Sequence, residues 1–284
     1  MTNILIDAEQ LGDLVGGGAG PRLLDVRWRL DRPDGRPDFI AGHIPGAVYV
    51  DLDAELASHG RADEGRHPLP RREDLQESVR RWGINDGDTV VVYDDLGSMS
   101  AARAWWVLTD AGLDVRLLDG GLGAWTSAGL PLETGEVVPA RGAATLTGGL
   151  LPRLTIDEAA ALPDRGVLLD ARAAERYRGD VEPIDPRAGH IPGAVSLPTA
   201  GNIDASGRFL PPDVLRRRFE HAGAGTGEVG VYCGSGVTAS HAYVALTIAG
   251  FSPRLYPGSW SQWSNIPDRP VATGSEPGGA PSDG

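Results

Sequence analysis

Cysteine is almost absent from this 284-residue chain: it occurs once, as Cys233. A single thiol excludes an intrachain disulfide and any zinc cage built from cysteines. Positive charge is in deficit as well. The formal net charge is −13, which disfavours nucleic acid and an anionic membrane surface as partners, although local basic groups can still draw in a small anion. No uninterrupted apolar run approaches about 18 residues, so no membrane span is expected. The opening Met1-Thr-Asn-Ile-Leu-Ile-Asp7 has no basic region followed by a long apolar stretch, and no secretory signal is visible in it. A reducing cytoplasm is the expected location, and it suits a working thiol. What remains is an ordinary globular composition, 41% hydrophobic, long enough for two domains with separate cores. The 40 glycines and 22 prolines point to many turns.

The strongest organising signal is a unit written twice. Leu23-Leu-Asp-Val-Arg27 recurs as Leu168-Leu-Asp-Ala-Arg172, Gly42-His-Ile-Pro-Gly-Ala-Val48 recurs letter for letter at 189–195, and Val90-Val-Val-Tyr93 recurs as Val229-Gly-Val-Tyr232. Asp25 and Asp170, His43 and His190, and Tyr93 and Tyr232 stand 145, 147 and 139 residues apart. So long and steady a period indicates duplicated domains, not a solenoid. Residues 1–132 are read as the first domain, 133–152 as a linker, 153–272 as the second domain and 273–284 as a disordered tail of Gly, Pro and Ser. Each unit opens with capping-box spacing, Asp7 with Gln10 and Thr155 with Glu158. Strands then alternate with helices, over about 72–82 and 213–222 among others, with Gly83 and Gly223 placed to end them. Alternation of this kind predicts an α/β fold: tandem domains, each a mostly parallel sheet flanked by helices. Ligands of such sheets sit beyond the carboxyl ends of the strands.

Cys233 stands at such an end. A β-branched run, 229–232, leads into the small-residue stretch 233–238, and a helical pattern follows over 241–249. Strand, tight turn and helix N-terminus place the thiol at the apex of a turn. There the backbone N–H groups of Gly234, Gly236, Val237 and Thr238 can turn inward and stabilise an anion on sulfur. The first repeat has Asp94 at this position, so only the second repeat carries a thiol there. Asp25-x-Arg27 and Asp170-x-Arg172, and the twin histidines His43 and His190, recur in both halves and are read as scaffold. Gly120-Gly-Leu-Gly123 lacks the Lys-Ser/Thr of a phosphate loop.

Cys233-Gly-Ser-Gly-Val-Thr238, set in this duplicated frame, resembles the active-site loop of the rhodanese-type sulfurtransferases, and within them the 3-mercaptopyruvate branch. Thiosulfate-using members more often carry basic residues just after the cysteine. The resemblance implies a rhodanese-like fold in both halves, the first inactive, and sulfur transfer through a Cys233 persulfide without metal or organic cofactor. The donor would be a small anion, 3-mercaptopyruvate or alternatively thiosulfate, and the acceptor a small thiol, cyanide or a protein dithiol. It also implies that Arg176, in Glu175-Arg-Tyr-Arg-Gly179, faces the loop and clamps the donor's anionic group, with Arg187 as a second substrate arginine. Asp53, His67 and Ser235 match the members of a Ser–His–Asp relay that handles a proton of the substrate or leaving group. Trp260 is read as a wall beside the loop. Two rival readings are weighed. A cysteine phosphatase of related fold needs C-x5-R, but residue 239 is Ala239, so that reading is rejected. A non-catalytic persulfide carrier or interaction module is not excluded by the loop.

Overall fold

The structure is a computed structural model and describes residues 4–17 and 20–278. Two compact units form. The first comprises residues 1–58, 69–151 and 203–209, and the second 59–68, 152–202 and 210–284.

In the first unit the order is β1 (Leu5–Ile6), α1 (Ala8–Gly16), β2 (Arg22–Asp25), α2 (Arg36–Ala41), β3 (Val48–Tyr49), α3 (Leu52–Glu55), α4 (Arg72–Arg81), β4 (Thr89–Tyr93), α5 (Ala101–Asp110), β5 (Asp114–Leu118) and α6 (Gly121–Ser127). The sheet runs β1-β5-β4-β2-β3 with every pairing parallel. In the second unit the order is α7 (Ile156–Ala161), β6 (Gly166–Asp170), α8 (Ala174–Arg178), β7 (Val195–Ser196), α9 (Pro212–His221), β8 (Glu228–Tyr232), α10 (Val237–Ile248), β9 (Pro253–Leu255) and α11 (Ser259–Ser264). Its sheet, β7-β6-β8-β9, is likewise parallel. The edge place that β1 fills in the first sheet is marked in the second by a single parallel bridge, Arg153 to Leu255.

The strands read as nearly continuous apolar runs because both faces of each sheet are covered. Val90, Val91, Val92 and Tyr93 are all buried. In the second unit Gly230 replaces the valine of the first, and the reason is local: a methyl there would meet Leu162 Cδ2 at 2.3 Å and Leu154 Cδ1 at 2.8 Å. The helix starts follow their caps. Asp7 accepts from the Gln10 N–H at 2.7 Å, and Thr155 with Glu158 forms a reciprocal capping box. Gly83 and Gly223 end α4 and α9 at φ 77° and 97°, a left-handed conformation that costs a residue without Cβ little.

The repeated residues prove to be scaffold. Arg27 donates to Asp25 and to the Gly42 carbonyl at 2.8 Å, and Arg172 donates to Asp170 and to the Gly189 carbonyl at 2.7 Å. The hydroxyls of Tyr93 and Tyr232 accept from Ile44 and Ile191 N–H. His43 and His190 stack on Phe39 and Tyr177 and place Nδ1 2.8 Å from the same residues' carbonyls. Each set ties the end of a central strand to the Gly-His-Ile-Pro-Gly turn.

Three boundaries differ from the sequence reading. Residues 133–151 are not a loose linker but part of the first unit, because their backbone is paired. His43 and Glu133 exchange N–H···O bonds at 2.9 Å, and Gly142, Ala144 and Thr147 N–H donate to Arg80, Ile84 and Ala111 carbonyls. Residues 59–68 belong to the second unit despite lying in the first repeat, and 203–209 make the reverse exchange. The expected disordered tail is docked at its start. Gly274 donates to the Arg178 carbonyl, and the Pro277 carbonyl accepts from Gly193; residues 279–284 lie outside the described residues. Among the described residues no helix is long and apolar enough to cross a membrane.

Candidate active site

Cys233 follows the last residue of β8, and the helix begins sooner after it than periodicity suggests. Gly236 takes φ 83° and caps α10, so the loop is Cys233-Gly-Ser-Gly236, while Val237 and Thr238 sit in the first helical turn rather than in the loop. The correction brings the positive end of a 12-residue helix closer to the sulfur. Cys233 Sγ accepts from the Gly236 N–H at 3.2 Å, and the residue is 1% exposed. The loop backbone is clasped by the start of α11. Trp260 and Ser261 N–H donate to the Cys233 and Gly234 carbonyls at 2.9 and 2.8 Å, and Ser259 Oγ accepts from the Cys233 N–H. Trp260 is buried and donates its ring N–H to the Arg187 carbonyl, which makes it part of the wall, as expected.

The arm 59–68 completes the site within the second unit. His67 Nδ1 lies 2.7 Å from Ser235 Oγ, and both residues are buried. A hydrogen bond joins them in either tautomer, so the pair can pass a proton. Asp53 lies on α3 of the first unit, whereas His67 and Ser235 belong to the second.

Arg176 reaches the loop: a methyl on Gly234 would meet its Nη1 at 3.3 Å. Its Nη2 donates to Glu182 at 2.6 Å and lies 3.4 Å from Asp185. Arg187 does not reach the loop. Its guanidinium donates to the carbonyls of Trp263, Ser264, Ile266 and Arg269 at 2.7–2.9 Å, capping the end of α11, so the expectation of a second substrate arginine there is corrected. Four of the five N–H donors spent on carbonyls leave little for an anion.

A residue that sequence reasoning passed over lies beside the loop. Arg66 Nη2 would lie 3.1 Å from a methyl on Gly234, and its Nη1 donates to Asp185. Two guanidiniums, the expected Arg176 and the unforeseen Arg66, therefore flank Gly234. The available signal was adjacency, since Arg66 immediately precedes His67, but nothing in the spacing links position 66 to position 234. Burial pushes the Asp185 carboxyl above the ordinary aspartate range, against the pull of Arg66 and Arg176. Glu182 is shared between Arg176 and Arg172, so the ion pairs continue inward to Asp170.

The equivalent loop of the first unit is filled by its own side chain. Asp94 is fully buried and accepts from Leu96, Ser98, Ser100 and Ala101 N–H at 2.8–2.9 Å. The N–H groups that could hold a foreign anion are occupied by a carboxylate fixed to the chain.

Comparisons with known proteins point to one family. The model of the rhodanese-like domain matches residues 7–128 and 155–266. A relative from Mycobacterium tuberculosis (strain ATCC 25618 / H37Rv), named putative thiosulfate sulfurtransferase SseB, is 49% identical over 96% of this chain and 98% of its own. A relative from Pseudomonas aeruginosa, named probable 3-mercaptopyruvate sulfurtransferase, is 47% identical over 89% of this chain and 92% of its own. The crystal structure of SseA from Escherichia coli, described as a 3-mercaptopyruvate sulfotransferase, superposes with a TM-score of 0.81 at 30% identity, covering 91% of this chain and 99% of that one. With two matched domains, a cysteine at the apex of one and a carboxylate plugging the other, the chain belongs to the rhodanese-like family, as a two-domain sulfurtransferase.

Proposed function

We propose that this sulfurtransferase takes sulfur from 3-mercaptopyruvate, holds it as a persulfide on Cys233 and passes it to a thiol, cyanide or protein dithiol acceptor. The observation that carries this reading is the 2.7 Å bond between Ser235 Oγ and His67 Nδ1, two residues beyond the nucleophile. Transfer from 3-mercaptopyruvate needs a proton to move. Cys233 thiolate attacks the donor sulfur, the S–S bond forms as the C–S bond breaks, and the electron pair leaves on carbon as the enolate of pyruvate. The proton that was on the donor sulfur is the one the carbon requires, and a Ser–His pair can carry it from one to the other. The products are pyruvate and a Cys233 persulfide, with no external oxidant or reductant. Thiosulfate, whose outer sulfur leaves behind sulfite, needs no such proton. The acceptor then attacks the outer sulfur of the persulfide and restores the thiolate.

The thiosulfate reading has an observation of its own, the second guanidinium over Gly234, and the relative named putative thiosulfate sulfurtransferase favours it. Against it, Asp185 and Glu182 already match the charges of Arg66 and Arg176, so a dianion meets a seat of near-zero net charge.

Parallel steady-state assays with the two donors decide between them. A higher kcat/KM with 3-mercaptopyruvate is the expected result, and a higher value with thiosulfate overturns the donor assignment. Ser235→Ala is expected to lower kcat/KM for 3-mercaptopyruvate by roughly ten- to a hundredfold and for thiosulfate by less than about threefold. Equal losses with both donors would remove the proton-handling role. Arg176→Ala is expected to raise KM for the donor roughly ten- to a hundredfold through loss of a charge-assisted contact. Arg178→Ala, which breaks only an exposed pair with Asp180, should change KM by less than about twofold. Similar kinetics in both arginine variants would place the clamp elsewhere.

A further inference from the structure

We propose that Ser259 is a positioning residue for sulfur transfer: its hydroxyl, carried on a left-handed backbone, fixes the peptide of Cys233 so that the N–H groups of the loop stay free for the charge on sulfur. The inference rests on the reading of Cys233 as the sulfur carrier, but not on which donor supplies the sulfur.

Ser259 opens α11 and is fully buried. Its φ is 54°, which makes it one of two non-glycine residues at positive φ among the described residues. A residue with a Cβ holds that conformation only where its surroundings enforce it. Ser259 Oγ donates to the Tyr256 carbonyl at 2.9 Å, just past β9, and accepts from the Cys233 N–H at 3.2 Å. With its one proton directed to Tyr256, the hydroxyl can only accept toward Cys233. The next two residues complete the hold, since the Trp260 and Ser261 N–H groups donate to the Cys233 and Gly234 carbonyls. In a planar trans peptide the N–H points opposite to the C=O. Two carbonyls tied to α11 therefore turn the Gly234 and Ser235 N–H groups away from it, and neither has a protein acceptor among the described residues. They stand ready beside the Gly236 N–H that already donates to Cys233 Sγ.

The first unit supplies the comparison. Its equivalent residue, the first of α6, is Gly121 at φ 56°. The Leu122 N–H donates to the Asp94 carbonyl at 2.8 Å, as Trp260 does to Cys233. A methyl on Gly121 would meet that carbonyl oxygen at 2.3 Å. The turn suits glycine, and the unit without a thiol has it. The unit with the thiol carries serine at nearly the same φ, with its hydroxyl on the N–H of the nucleophile itself. A strained residue standing where glycine serves the duplicate answers to the reaction rather than to the fold.

Two substitutions separate the hydroxyl from the strain. Ser259→Gly removes both and should fold, since the twin position carries glycine. Ser259→Ala removes the hydroxyl alone. Single-turnover persulfide formation is expected to slow at least roughly tenfold in each variant, by the same factor with 3-mercaptopyruvate and with thiosulfate. The donor concentration at half-maximal rate should stay within about twofold of wild type, because Ser259 holds the nucleophile and not the donor. Ser259→Gly should melt at least roughly 2 °C above Ser259→Ala, because it relieves the left-handed backbone. The lost rate then follows the hydroxyl and not the stability. Amide hydrogen exchange at residues 233–236 should be at least roughly tenfold faster in both variants, which reads the hold on the loop without any donor. A wild-type single-turnover rate in Ser259→Gly overturns the positioning role, and so does a rate that recovers from alanine to glycine in step with the melting temperature. Sulfur uptake by a variant lacking Cys233 overturns the carrier reading, whereas unchanged exchange in the loop overturns the role of Ser259 alone.

Discussion

Cys233→Ser is expected to abolish sulfur transfer with every donor and acceptor, lowering kcat by at least about a thousandfold. The side chain is the one thiol in the protein, so no other residue can form a persulfide. The variant should fold, because the loop is held through groups the substitution keeps. The residue 233 carbonyl accepts from Trp260, its N–H donates to Ser259, and the side chain is buried in a space that an oxygen also fits. A serine hydroxyl at this position is a weak nucleophile without an adjacent base, and His67 is engaged with Ser235. Intact-mass measurement after incubation with donor gives the cleanest readout. The wild type should gain about 32 Da, one sulfur atom on a single nucleophile, and the variant none. A gain of that size in the variant, or turnover above about a thousandth of wild type, would move the sulfur-carrying group away from Cys233.

The pairing of sequence with structure explains which features could be read in advance. The repeat was legible because buried parallel strands and the Gly-His-Ile-Pro-Gly turn impose the same side chains twice: Asp25 and Asp170 each hold an arginine that reaches the turn, and no other residue type makes that set of bonds. Cys233 was legible because a strand, a small-residue loop and a helix are consecutive in the chain. The start of α10 was placed four residues late, since Val237 and Thr238 are β-branched and weak helix formers, whereas the cap geometry of Gly236 decides the boundary. β1 has two residues and no alternation to detect; its pairing with β5 is what makes it a strand. That Arg66 lies beside Gly234 while Arg187 binds the end of α11 has a tertiary reason. The arm 59–68 packs in the second unit, where Gln262 donates to the Asp63 carbonyl and Ser261 accepts from Arg66. Arg187 is turned toward the carbonyl end of α11. Neither arrangement leaves a trace in local spacing, because each depends on contacts made across more than 70 residues.

Asp94→Ala should leave sulfur transfer almost untouched and yet be among the most destabilising single substitutions in the protein. In the first unit the carboxylate takes the place of an anion within its own loop. Four N–H groups converge on it, with Ser100 Oγ at 3.2 Å, and the residue has no exposed surface. Alanine leaves those donors buried without an acceptor. Each such group costs about 1–3 kcal/mol, but they are neighbours and do not add in full, so a loss of roughly 3–5 kcal/mol is the expected scale. Ser98, held at φ 67° in the left-handed region, depends on the same bonds and gains a reason to relax when they go. That loss is a large part of the ~5–15 kcal/mol that stabilises a domain, and for a unit of this size it should lower the melting temperature by roughly 10 °C. Asp94→Asn, which keeps one carboxamide oxygen as acceptor, should fall between alanine and wild type. Catalysis is a separate matter, because Cys233, Ser235, His67, Arg66 and Arg176 all belong to the other unit. Below the transition, kcat/KM per folded molecule should stay within about twofold of wild type. Calorimetric unfolding and assay at the same low temperature separate the two effects. A folded Asp94→Ala protein with little turnover would show that the first unit's loop takes part in transfer, and a melting temperature equal to wild type would show that the carboxylate is not what holds the loop.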